Sequence, residues 1–117
     1  MTERSPELYI DDIIEAINKI ERYTKDMDFS KFSENELVLD AVIRNLEIIG
    51  EASTHIPEKI REKYSNLPWK RIIGLRNIAI HGYFKIDLSL IWAIITKNIP
   101  LTKDTILKIQ KECVKNK

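Results

Sequence analysis

A chain of 117 residues, 44% hydrophobic and 32% charged, has enough apolar material to bury one core and is too short for two ordinary domains. Only three Gly and four Pro occur, with no Asn-Gly, Asp-Gly or Gly-Gly pair, which argues against a β-rich fold built on tight turns. The formal net charge of +1, from 19 basic and 18 acidic residues, is not that of a strongly basic nucleic-acid binder.

The opening MTERSPELYIDD is polar and acidic where a signal peptide would be basic and then apolar, so a cytoplasmic protein is expected. A first helix begins near Ser5 as N-cap with Pro6 at its first position. Ile10, Ile13, Ile14, Ile17 and Ile20 follow at the spacing of a buried face. Tyr9, Ala16 and Tyr23 form a second stripe beside it, either more core or part of a subunit interface. Ser33-Glu34-Asn35-Glu36 reads as a capping box opening a second helix. That helix runs through Leu39, Val42, Ile43, Leu46 and Ile49 to about His55, a helix-end residue expected to face solvent. Gly50 inside it weakens the helix and signals close approach by another backbone.

Pro57 restarts a short helix through Ile60 to about Tyr64, and Ser65-Asn66 breaks it. Pro68 begins a third main helix with Trp69, Ile72, Ile73 and Ile80, which Gly82 is placed to end. Asp87 caps a fourth with Leu88, Ile91, Ile94 and Ile95 on its apolar side, and Pro100 kinks or splits it from a last helix carrying Leu101, Ile106 and Ile109. The uncharged run between Asp87 and Lys97 is far too short to span a bilayer, so no membrane association is expected. The lone Cys113 excludes an internal disulfide and a multi-cysteine metal site, and reads as a bystander. The expected architecture is a single domain over residues 1–117, an all-α bundle of four to five helices with short connections.

The near-neutral total hides a partition. Residues 1–58 carry 14 acidic and 6 basic side chains, a net of −8. Residues 59–85 carry Lys59, Arg61, Lys63, Lys70, Arg71, Arg76 and Lys85 against Glu62 alone, a net of +6, and residues 86–117 a net of +3. Such a segment either attracts phosphates, because the local field matters more than the sum, or is a solvated face balancing the acidic half.

Polar residues with catalytic potential cluster in Gly74-Leu75-Arg76-Asn77-Ile78-Ala79-Ile80-His81-Gly82-Tyr83. At ~100° per residue, Arg76 and His81 stand ~140° apart around a helix, whereas Asn77 and His81 share a face. Arg76 and His81 therefore meet at one phosphate only if two copies of the helix face each other across a two-fold axis. Such a site suits RNA cleavage without metal. The ribose 2′-OH attacks phosphorus, a histidine moves protons near neutral pH, and an arginine pairs with the phosphate. The product would carry a 2′,3′-cyclic phosphate. The bland alternative is a helix-end His81 bonded to a carbonyl and Arg76 in a structural ion pair. His55 and His81 are the only histidines, and no His-Glu-x-x-His or glycine-rich phosphate loop occurs, so neither a metal nor a cofactor is expected.

Arg76 to Tyr83 resembles the R-x-x-x-x-H-x-Y signature of HEPN-domain ribonuclease toxins of the HepT type. The likeness extends to Arg44-Asn45-Leu46-Glu47-Ile48-Ile49-Gly50-Glu51-Ala52, to Pro68 through Asn77, and to Asp87 through Pro100, so it covers nearly the whole chain in order. The resemblance implies a homodimeric HEPN bundle with Arg76 and His81 of both subunits lining a cleft. It implies a metal-independent endoribonuclease, the toxin of a toxin–antitoxin pair. The partner would be a small nucleotidyltransferase of the MNT type, forming a hetero-oligomer with it and inactivating it by adenylylating Tyr83. Phosphate added there would compete with RNA for Arg76 and His81. Asn77 either supports His81 or binds phosphate, or is simply a polar residue on the helix surface. Arg44, Glu47 and Glu51 form either a structural ion-pair network or a support for the site. The alternative from another class is a non-catalytic module that holds a nucleotide or a partner nucleotidyltransferase.

Overall fold

The structure is a computed structural model that describes residues 4–78 and 87–115, and every described element is helical. Helix α1 (Pro6–Thr24) starts with Pro6 at its first turn, where a missing N–H costs nothing. It buries Ile10, Ile13, Ala16, Ile17 and Ile20. The second stripe therefore divides: Ala16 joins the core, while Tyr9 and Tyr23 stay half-buried. In the connection that follows, Asp26 takes the left-handed region at φ 63°, a conformation that Asp tolerates better than most side chains.

Helix α2 (Phe29–Glu34) is absent from the sequence expectation, because six residues with one fully buried side chain, Phe32, give no periodic signal. Asp28 caps it by accepting from the Lys31 amide at 2.9 Å. This helix displaces the expected capping box. Ser33 lies within α2 and donates to the Ser30 carbonyl, while extended Asn35 caps helix α3 (Glu36–Thr54), its Oδ1 accepting from the Val38 amide at 3.0 Å. The N-terminus of α3 thus sits two residues later than Ser33 would place it.

Helix α3 is the centre of the bundle, burying Val42, Ile43, Leu46, Ile49 and Ala52 against α1 and the segments that follow. Helix α4 (Glu58–Lys63) restarts after Pro57 as expected, and Pro68 precedes helix α5 (Trp69–Gly74). The Trp69 indole donates to the Tyr64 carbonyl at 3.0 Å, fixing the Ser65-Asn66 break between them. Helix α6 (Leu88–Ala93) is capped by Asp87, whose Oδ1 accepts from the Leu90 amide at 3.1 Å.

Pro100 neither ends the following helix nor leaves it regular. A wide π turn (Ile94–Asn98) leads from α6 into α7 (Ile99–Lys115), with helical backbone angles at both joins. Proline has no N–H for the carbonyl four residues back, and its ring would press on that carbonyl, so the ladder widens just ahead of it. Helix α7 returns across α1, joined by Lys103 to Glu21 at 2.6 Å and Gln110 to Asp11 at 3.0 Å.

One core runs through all of this. Ile10, Ile13, Ile17, Leu46, Ile49, Ile106 and Ile109 are fully buried in it, and each such side chain contributes ~1.5–3 kcal/mol of transfer free energy. The four to five helices expected are thus the frame, subdivided by the short α2, α4 and α5. No helix among the described residues is long and apolar enough to cross a membrane.

Candidate functional site

The site is assembled where α3 meets the end of α5. After Gly74 the chain tightens into a 3-10 turn (Leu75–Asn77), with the Leu75 amide bonding back to α5 carbonyls and the Ile78 amide to the Leu75 carbonyl. Gly50 of α3 lies against this turn. A Cβ at position 50 would stand 2.3 Å from the Arg76 backbone nitrogen and 3.0 Å from the Ile72 carbonyl oxygen. The close approach inferred from Gly50 is therefore real, and the backbone it admits is that of Arg76.

Arg76 itself is exposed, and among the described residues it makes no ion pair of the kind the bland alternative calls for. Asn77 is half-buried, with no side-chain hydrogen bond among the described residues. His81 and Tyr83 lie outside the described residues, as do Ile80, Gly82 and Lys85.

Other expectations divide. His55 does close α3 facing solvent, and it also stacks on Tyr9 with ring centroids 4.4 Å apart and planes 11° from parallel. Its Nε2 lies 3.5 Å from Glu51. The ion-pair network among Arg44, Glu47 and Glu51 is not formed: Glu51 turns to His55, and Arg44 has no carboxylate within reach among the described residues. Two helical turns separate Arg44 from Glu51, ~10.5 Å along the axis, too far for direct pairing. Among the described residues no three His, Cys, Asp or Glu side chains gather as a metal site requires.

The basic segment is not neutralised by the acidic half. Among the described residues its single ion pair is Lys63 with Glu112, leaving Lys59, Arg61, Lys70, Arg71 and Arg76 with none. Glu112 of α7 is held by both Lys63 and the Tyr64 hydroxyl of the α4 end. These bonds hold its carboxyl below the usual range and hold the Lys63 and Tyr64 protons on to higher pH. A depressed carboxylate contributes stability above its unfolded pKa and loses it as pH falls through the folded value. Glu112→Gln is therefore expected to lower the thermal midpoint at neutral pH, with the gap from wild type shrinking below about pH 4.5, as melting curves across pH would record. Cys113, next in the chain, is half-buried, and burial pushes its thiol up, away from the reactive thiolate.

A cavity of about 520 Å³ opens between α5 and the α6–α7 arm, on the side of the turn that Leu75 faces. Ile49, Ile72, Leu75, Ile94 and Ile99 form its walls, while Arg71, Asn66, Asn98, Asp104 and Thr105 supply polar groups. The sequence pattern missed it. Its residues come from stretches about thirty positions apart, each reading locally as ordinary helix surface.

Residues 13–109 match the model of the HepT-like ribonuclease family. The chain belongs to the HepT-like ribonuclease family. It is 47% identical over 103 residues to a protein of Methanocaldococcus jannaschii named as an RNase, covering 88% of this chain and 94% of that one. A protein of Thermococcus cleftensis named as a ribonuclease HepT is 38% identical over 108 residues, 92% of this chain and 98% of that one. A third, named as an RNase in Caldanaerobacter subterraneus, is 36% identical over 110 residues, 93% of this chain and 98% of its own. No solved structure matches. In this HepT-like chain the stretch from Leu75 to Ile78 that introduces the Arg–His string is the one braced by Gly50.

Proposed function

We propose that this chain is an RNA endonuclease that cleaves by attack of the ribose 2′-OH on the adjacent phosphorus, without a metal. As the 2′-oxygen bonds to phosphorus, the bond to the 5′-oxygen breaks. Arg76 binds the scissile phosphate and stabilises charge on it in the transition state. His81 of one copy takes the 2′-OH proton, and His81 of the other gives a proton to the departing 5′-oxygen. Two copies form a homodimer, whose cleft receives an arginine and a histidine from each. The observation that carries this reading is Arg76: within a chain of the HepT-like ribonuclease family, it is exposed, unpaired among the described residues, and fixed through its backbone against Gly50. A guanidinium whose backbone is braced and which pairs with no carboxylate among the described residues is available for a phosphate.

In the cell the enzyme acts as the toxin of a toxin–antitoxin pair. A nucleotidyltransferase antitoxin transfers AMP from ATP to the phenol oxygen of Tyr83, with release of pyrophosphate. The added phosphate then occupies the groups that RNA phosphate needs.

The test is cleavage of RNA by unmodified wild-type protein in EDTA, with product ends identified by mass spectrometry. Cleavage to 2′,3′-cyclic phosphates is expected, and its loss in His81→Ala. Failure of the unmodified wild type to cut any RNA in EDTA would overturn the reading and leave a non-catalytic module. Intact mass after co-expression with a neighbouring nucleotidyltransferase gene should rise by AMP units on a peptide containing Tyr83.

A further inference from the structure

We propose that the cavity between α5 and the α6–α7 arm is a nucleobase subsite. It takes the base of a nucleotide flanking the cleaved phosphate, with Arg71 at its rim binding that nucleotide's phosphate. The inference rests on the ribonuclease reading and adds the place where the substrate is held.

Size and lining both point this way. At about 520 Å³ the cavity is in the range of small-molecule sites and exceeds what a packing defect leaves in a domain of this length. A packing void is lined by apolar side chains alone and stays dry. Here Ile72 and Leu75 on one side and Ile94 and Ile99 on the other offer apolar surfaces to the two faces of a planar ring. Polar groups complete the lining. The Asn66 amide donates to the Thr105 hydroxyl at 3.1 Å, which sets the plane of the amide. Thr105 is only 6% exposed, and its own proton has no acceptor among the described residues. Asp104 adds a carboxylate with no cation in reach among the described residues. Apolar faces with a fixed amide, a hydroxyl donor and an acceptor-only carboxylate match a base edge that carries an amino group.

The cavity is also placed correctly relative to Arg76. Leu75 lines it, and Arg76 is the next residue in the chain. From Arg71 to Arg76 the chain advances roughly 8 Å along α5 and the 3-10 turn, on the order of one nucleotide step. Neither arginine has an ion pair among the described residues. Five residues turn the chain by ~140° or more, so Arg71 faces the recess and Arg76 lies around the turn from it. A strand with its base in the recess and one phosphate on Arg71 would pass around that turn to reach Arg76.

The experiment is titration calorimetry of the full chain with GMP, AMP, CMP and UMP, run on wild type and on Arg71→Ala, Asp104→Asn and the control Lys19→Ala, with sedimentation of each. At least one of GMP, AMP and CMP is expected to bind more tightly than UMP. Arg71→Ala should weaken it about tenfold or more by removing a charged phosphate contact. Asp104→Asn should remove the preference over UMP, and Lys19→Ala, a charge lost on α1 away from the cavity, should leave mononucleotide binding in place. The inference is overturned by absence of binding, by binding with no preference over UMP, or by affinity unmoved in both cavity variants. It is also overturned if those variants change oligomeric mass instead of affinity, which would make the cleft an interface between copies. RNA cleaved by a protein that binds no mononucleotide sinks the subsite alone. Mononucleotides bound at the cavity of a protein that cleaves nothing sink the ribonuclease reading alone.

Discussion

Gly50→Ala is expected to cost RNA cleavage more than it costs the fold. The new methyl would lie 2.3 Å from the Arg76 backbone nitrogen and 3.0 Å from both the Ile72 carbonyl oxygen and the Leu75 carbonyl carbon. All three are backbone atoms, so no side chain can swing aside, and either α3 or the 3-10 turn must shift. Overpacking of this kind costs ~1–3 kcal/mol, while alanine's better helix propensity returns up to ~1 kcal/mol. The midpoint of thermal unfolding should fall by several degrees, with the helical circular dichroism of the cold protein retained. The turn that gives way carries Arg76, proposed above to bind the scissile phosphate, and in that role a displacement near 1 Å would reduce the rate by ~10²-fold. Gly74→Ala is the matched control. Nothing stands within 4 Å of a Cβ there, so it should unfold at or above the wild-type temperature and keep full activity. A Gly50→Ala protein as stable and active as Gly74→Ala would mean that the two backbones do not meet as described.

Gly50 also shows how far the residue pattern alone reaches. A glycine inside an otherwise regular helix implies a neighbour that excludes a side chain, yet nothing local names the neighbour, because the contact joins residues 50 and 76 through the fold. The main helices were legible for a related reason: α1 and α3 each bury one face, so isoleucines and leucines recur at helical spacing over 19 residues in each. Asp87 and Pro57 acted locally and were legible as well. The start of α3 was misread because Ser33 and Asn35 are both good caps, and the choice between them was made by Phe32. Burying that ring closes α2 over Ser33 and leaves Asn35 as the extended residue. At Pro100 the pattern announces a disturbance without saying whether the helix stops, bends or widens, and the burial of Ile95 within the π turn and of Ile99 just after it accompanies widening. Of the site, Arg76 and Asn77 were identified from spacing and resemblance. Arg71, Asn66, Asp104 and Thr105 were not, since a cavity between helices leaves no signature in either one.

Arg76→Ala should behave as the opposite case to Gly50→Ala, with the fold untouched and the chemistry lost. The side chain is exposed and has no ion pair among the described residues, so its removal leaves no buried group unsatisfied, and stability should stay within ~0.5 kcal/mol of wild type. If the guanidinium acts on the charge that builds up as the 2′-oxygen attacks, its loss is felt in the transition state. A drop in kcat of ~10²–10³-fold is then expected, with a smaller change in KM. Arg76→Lys separates charge from geometry. A lysine keeps the charge but offers no planar fork for two phosphate oxygens, so it should recover only part of the rate. Full recovery would reduce Arg76 to a point charge, and full activity in Arg76→Ala would remove it from the reaction. Measured together, the two positions distinguish a residue that touches the phosphate from one that holds it in place. Arg76→Ala melts like wild type and does not cut, whereas Gly50→Ala melts early and cuts poorly because Arg76 has moved.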